Sequence, residues 1–136
     1  MINNESISNE RALFDTVTLF KRWLENRNDN KMFGDYLLEC GYRSVVIFDA
    51  GEIGRILYDE IKKSDVQVCC FYDRNAEGIK EIDGIRVYPF SKLDKMPDAD
   101  IVLVSTIYNY NYLLEKLVKI NPAIRTLYLR DAVYEF

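Results

Sequence analysis

The chain of 136 residues contains no histidine. That removes the side chain that ordinarily exchanges protons near neutral pH, and with it the Ser-His and Cys-His nucleophile pairs. Any catalysis would fall to Asp, Glu, Lys, Tyr or Cys. Cysteine is scarce too: Cys40 and the adjacent Cys69 and Cys70 lack metal-ligand spacing, so neither a zinc site nor a disulfide is expected. No apolar run reaches the roughly 20 residues that span a bilayer, and the first ten residues are polar and acidic rather than basic then apolar. No membrane partner and a cytoplasmic location are therefore expected. With a net charge of -4 and no dense stripe of Lys and Arg, nucleic acid is a poor candidate partner. Internal repeats and low-complexity segments are missing as well.

What remains has the balance of an ordinary globular domain, 49% hydrophobic and 29% charged, which is enough to bury a core. Residues 10–27 carry Leu13, Phe14, Val17, Phe20, Trp23 and Leu24 at helical spacing, with charged residues between them, and predict an amphipathic helix. Asn28-Asp29-Asn30 ends it. A second short helix from about Lys31 presents Phe33, Tyr36, Leu37 and Cys40 before Gly41 stops it. Residues 1–42 thus form a two-helix extension that either packs on the remainder or offers a homo-oligomer face.

Residues 43–136 read as alternating strands and helices. Strands are expected at Val45 to Phe48, Val66 to Tyr72, Ile85 to Tyr88, Ile101 to Val104 and Ile124 to Leu129. Helices are expected at Glu52 to Lys63 and Asn111 to Lys119, with an irregular crossover from Asn75 to Gly84 and a helical turn near Asp131 to Phe136. Right-handed crossovers then give an α/β fold, a doubly wound parallel sheet of about five strands in the order 3-2-1-4-5.

The first strand runs through Asp49-Ala50-Gly51-Glu52-Ile53-Gly54 into a helix. Such a corner aims backbone N–H groups and the positive end of the helix at one spot, where an anion can bind. Gly51 would let the main chain approach a pyrophosphate and Gly54 would let helix and strand pack closely. Asp73 follows Gly54 by 19 residues, near the spacing of an acid that holds a ribose 2′-hydroxyl, which favours NAD over NADP unless Arg74 swings in; the alternative is a strand-end turn residue in Asp73-Arg74-Asn75. The fingerprint G-x-G-x-x-G is broken at its first position by Asp49, and Glu52 adds a second acid. A carboxylate about 5 Å from a phosphate oxygen costs roughly 1 to 3 kcal/mol. The alternative is that Asp49 turns back onto the N–H of Gly51 or Glu52 and caps the helix in place of a phosphate.

Four segments carry a resemblance: Val45 to Tyr58, Cys69 to Asn75, Asp83 to Val87 and Asp98 to Ser105. Over residues 43–129 they resemble the Rossmann-like domains of bacterial surface-polysaccharide enzymes. Two groups are similar: the NAD(P)-binding domain of nucleotide-sugar epimerases and dehydratases, and the nucleotide-sugar-binding N-terminal domain of sugar acyltransferases. The resemblance implies a phosphate-binding turn at Gly51, Glu52, Ile53 and Gly54, with Asp49 and Ala50 leading into it. It also implies an adenosine or uridine ribose near Asp73 and Arg74, and a ligand edge at Ser105 and Thr106.

Other candidates are weaker. Ser105 and Thr106 follow a strand at the crevice where doubly wound sheets bind ligands, and serve equally well as helix caps. Tyr108, Tyr110 and Tyr112 would suit aromatic walls or a subunit interface. Tyr58 with Lys62 and Tyr112 with Lys116 match the Tyr-x-x-x-Lys proton-transfer pair of short-chain dehydrogenases, but about 0.7 such pairs arise by chance at this composition. Cys69 and Cys70 should point to opposite sheet faces and be buried. The leading expectation is a domain that binds NAD or a nucleotide-sugar with no catalytic or metal-binding residue of its own, linked to surface-sugar metabolism. A non-nucleotide interaction protein with a degenerate phosphate site comes second, and an NAD-dependent sugar oxidoreductase third.

Overall fold

The computed structural model describes residues 4–105 and 110–136. Two helices come first, α1 (Asn4–Asn28) and α2 (Phe33–Glu39), and the latter ends as its sequence predicts. Gly41, at φ 86°, lets its own N–H reach the carbonyl of Leu38 and the N–H of Tyr42 reach that of Leu37, the paired bonds of a left-handed helix stop. There follow β1 (Ser44–Phe48), α3 (Glu52–Ile61), β2 (Gln67–Tyr72), α4 (Ala76–Ile79), β3 (Glu81–Ile82), β4 (Ile85–Tyr88), a 3-10 segment (Phe90–Lys95), β5 (Ile101–Val104), α5 (Tyr110–Ile120), β6 (Thr126–Tyr128) and α6 (Leu129–Glu135).

The chain is α/β with a mixed, mostly parallel sheet. It has six strands in the order β3-β4-β2-β1-β5-β6, where the sequence predicts five in the order 3-2-1-4-5. The addition is at the edge: Ile82 pairs antiparallel with Ile85 across Asp83 and Gly84, whose φ values of 51° and 79° make a two-residue turn with both central residues left-handed. The other pairings, β4 with β2, β2 with β1, β1 with β5 and β5 with β6, are parallel. The expected irregular crossover thus contains the short helix α4 and strand β3.

Alternation along the parallel strands divides the core between two faces. Val45, Ile47, Phe71, Val87, Ile101 and Leu103 face α3 and α6, together with Leu19 and Trp23 of α1 and Phe33 and Leu37 of α2. Val46, Phe48, Cys70, Tyr72, Val102 and Val104 face the 3-10 segment and α5 through Leu93 and Leu117. The helical extension therefore shares its core with the sheet. The β1–β2 register slips between Val45 and Val46, so Val45 pairs with Val68 and Val46 with Cys70. Because of that bulge both Cys69 and Cys70 border the second face, rather than one cysteine on each.

The helix α1 buries only part of its expected apolar stripe, Trp23 and the half-buried Phe20. The inward residues of α1 are Leu19, Trp23 and Asn26, while Leu13, Phe14, Val17 and Leu24 of the expected apolar face are 67%, 69%, 59% and 56% exposed. The orientation is set by a buried carboxylate on α3. Glu60 accepts from Trp23 Nε1 at 2.8 Å, from Arg27 Nε at 2.5 Å and from the Phe33 N–H at 2.5 Å. Its side chain is fully buried. A second tie, Asn26 Nδ2 to the carbonyl of Val133 at 2.8 Å, fastens α1 to α6.

Candidate functional site

The chain runs outward from β1 to β2 and β4 on one side, then returns to β5 and β6 on the other, so the order reverses between β1 and β5. Ligands of doubly wound sheets bind at the carboxyl ends of the strands at such a reversal. Three predicted segments meet there: Asp49 to Gly54 after β1, Asp73 after β2 and Ser105 after β5.

Asp49 holds a φ of 101°, backbone that a side chain rarely adopts and that glycine enters without strain. The corner thus keeps the main-chain shape of a glycine turn with an aspartate installed. Asp49 Oδ1 accepts the N–H of Gly51 at 2.7 Å. Asp73 Oδ2 accepts the N–H of Ala50 at 2.8 Å, and its other oxygen accepts the N–H of Asn75 at 2.8 Å. The Gly51 amide that the sequence assigns to a phosphate, and the Ala50 amide leading into it, are therefore occupied by carboxylates of the chain itself. The contacts to Gly51 and Asn75 are legible in the sequence, since an Asp two residues before an N–H is a familiar turn or cap, whereas the bond from the Ala50 N–H to Asp73 is not.

Gly54 serves the close approach the spacing predicts. A Cβ there would stand 1.9 Å from the backbone oxygen of Asp49, so α3 lies directly on the turn. Gly51 precedes α3 as its cap residue in extended backbone and makes no side-chain cap bond, which leaves the first-turn amides of the helix without one. Glu52 is exposed and Ile53 half-buried. Arg55 donates from Nε to the carbonyl of Ala50 at 3.2 Å, tying the turn to the helix from its outer side. Arg74 is exposed beyond Asp73.

Burial raises the Asp49 carboxyl above its ordinary value; the Gly51 N–H opposes this, the neighbouring charge and hydrogen bond of Asp73 add to the rise, and Ser105 lowers it least. Ser105 is buried and donates from Oγ to the carbonyl of Phe48 at 2.5 Å. Its hydroxyl seals the top of β1 against β5. Thr106, and with it the expected hydroxyl pair, lies outside the described residues, as do Tyr108 and the side chain of Tyr110.

The remaining candidates separate from this corner. Tyr58 is buried, and that burial raises its hydroxyl pKa, reinforced by Asp83, while Lys62 lowers it only weakly. Lys62 pairs instead with Asp59 and Asp83 at 3.1 and 3.6 Å. A proton-transfer tyrosine needs the opposite shift. Tyr112 is 52% exposed with Lys116 Nζ 4.6 Å from its ring centre, a surface cation–π contact. Burial pushes the Cys70 thiol up to about 12 and raises Cys69 as well, so neither supplies thiolate at neutral pH. Among the described residues no group of three or more Cys, Asp and Glu side chains could hold a metal ion, and no helix is long and apolar enough to cross a membrane. A cleft of about 560 Å³ opens at the opposite ends of the strands, lined by Tyr42, Asp94, Asp98, Asp100, Asn121 and Arg125.

No protein-family model, no curated protein and no solved structure matches this chain.

Proposed function

We propose that the chain is a non-catalytic interaction domain on a Rossmann-like frame, its phosphate corner held shut by the side chains of Asp49 and Asp73. The resemblance would link such a domain to surface-sugar metabolism. One observation carries the reading: Asp49 and Asp73 sit on the amides of Gly51 and Ala50 at hydrogen-bond distance, where a diphosphate would otherwise be received. An incoming anion would have to displace one carboxylate and lie beside the other, with Glu52 nearby, and Arg55 is turned to a carbonyl.

Asp49→Gly tests it directly, because the substitution restores the full fingerprint at positions 49, 51 and 54 and suits the φ of 101°. In a thermal-shift screen with NAD and UDP-sugars the native chain should give no shift. The variant should gain one, since ligand at 100 times its dissociation constant adds about 2.7 kcal/mol of stability. A shift in the native chain equal to that in the variant would return the site to nucleotide binding.

That second reading, a domain that binds NAD or a nucleotide-sugar, is favoured by one specific feature, the close approach at Gly54, where a Cβ would stand 1.9 Å from the backbone oxygen of Asp49. A phosphate would then lie on the first turn of α3, and Asp73 would have to release the N–H of Ala50 or Asn75 to serve a ribose. It requires the Asp49 carboxyl to be neutral or turned away, so its affinity should rise as pH falls.

A further inference from the structure

We propose that α1 is a self-association element, pairing antiparallel with α1 of a second copy across a two-fold axis near Val17. The inference rests on α1 alone and is independent of whether the glycine corner binds a nucleotide.

The outward face of α1 is an ordered seam. Leu13, Val17, Phe20 and Leu24 follow one another at intervals of four, three and four residues, the spacing by which a helix meets another helix along its length, and Phe14 flanks them. Leu13, Phe14, Val17 and Leu24 are each more than half exposed, and Phe20 is half-buried against Trp23 with their rings stacked at 6.0 Å. Together they present on the order of 400 Å² of apolar surface, as much as the largest patch of a typical monomer. A two-fold axis doubles that figure, and the polar flanks of a helix about 37 Å long extend it toward the area of a stable interface.

The chain itself leaves this half of the helix uncovered. The first buried residue of α1 is Leu19, and among the described residues none before it is buried. Helical segments of a dozen residues without tertiary cover are marginal in water. A partner on the seam would supply that cover without disturbing the opposite face, where Trp23 and Asn26 are already engaged.

Charge selects the partner and its direction. The first half of α1, residues 4–16, has three acids, Glu5, Glu10 and Asp15, against Arg11. The second half, residues 17–28, has three bases, Lys21, Arg22 and Arg27, against Glu25. The halves are therefore of opposite sign. A parallel pair would set acid against acid, whereas an antiparallel pair sets each acidic half on a basic one. With Val17 on the axis, Glu10 comes level with the partner's Leu24 and within one turn of the partner's Lys21. A second copy of this helix supplies both the matching seam and the matching charges.

Sedimentation of the full chain over a range of concentrations tests the proposal. The native chain should populate a dimer. Val17→Glu should raise its dissociation constant at least about 100-fold, because a charge would be buried in the seam. Glu10→Lys and Lys21→Glu should each weaken the dimer, and the double variant E10K/K21E should recover it. The single tryptophan, Trp23, reports the fold of every variant, and an unshifted emission spectrum shows that the monomer is intact. A chain that stays monomeric throughout overturns the proposal. So does a dimer untouched by Val17→Glu, or a double variant no tighter than the singles. A monomer that instead binds anionic lipid vesicles through α1 would give the seam to a membrane surface and overturn it too.

Discussion

Asp49 joins two unfavourable features that are tolerable only in combination. A φ of 101° strains any side chain by about 1–3 kcal/mol, and a carboxylate beside Asp73 meets a like charge. The bond from the Gly51 N–H offsets part of both, because it needs the carboxyl brought back over the turn. Since burial holds the Asp49 carboxyl above its ordinary value in the fold, the unfolded chain releases this proton first as pH rises. Its contribution to stability is therefore greatest below about pH 4 and declines as pH rises through the raised folded value. Asp49→Asn keeps an acceptor for the Gly51 N–H and removes the charge. Urea midpoints at pH 3 and pH 7 should show the variant gaining on the native chain toward neutral pH, and a gap that narrows instead would mean that the ionised aspartate stabilises the turn. The cap was legible because it is local, two residues apart. The partnership of Asp73 with the Ala50 N–H spans 23 residues and depends on β1 and β2 being neighbours, which no local pattern encodes.

Between elements, the decisive contact is the buried carboxylate of Glu60, which gathers Trp23 and Arg27 of α1 and the first N–H of α2 onto α3. Glu60 stands three residues after Leu57 and beside Ile61, so its inward position was readable from helical spacing, but partners 37, 33 and 27 residues away were not. The same distance hides the orientation of α1: periodicity identifies an apolar stripe and says nothing about whether the chain's own core or another molecule covers it. The β3–β4 hairpin is the opposite case. Asp83-Gly84 is a strong turn signal, but the strand before it has only two residues, too few to show an alternating pattern. Glu60→Ala should leave the Trp23 and Phe33 N–H groups buried without an acceptor and Arg27 without its anion, at a cost of about 3 kcal/mol. Chemical unfolding gives the loss, and a red-shifted Trp23 emission before the main transition would show α1 lifting from the body first. A variant with native stability and emission would mean that apolar contacts alone dock the extension.

Across the whole molecule the two ends of the central strands are finished by carboxyl groups whose pKa values are shifted in opposite directions. At the upper end stands Asp49; at the lower end Asp100, just before β5, accepts the N–H of Arg43 at 2.7 Å and of Ser44 at 3.2 Å, closing β5 onto β1. The Arg43 N–H is the main reason that the Asp100 carboxyl lies below its ordinary value, with Ser44 and Arg125 contributing. Its stabilisation is therefore present above about pH 4 and disappears as pH falls through the lowered folded value. Asp100→Asn should lower the urea midpoint at pH 7 and flatten the loss of stability on acidification, while Asp49→Asn acts above that window. The length of β1, about 13 Å, separates the two sites, far enough for independent substitutions to add within about 0.5 kcal/mol. The double variant should thus show the sum of the two single pH profiles, measured by urea unfolding from pH 2 to pH 8. A large departure from additivity would mean that the ends of β1 communicate through the sheet, and that the glycine corner responds to what happens at the opposite cleft.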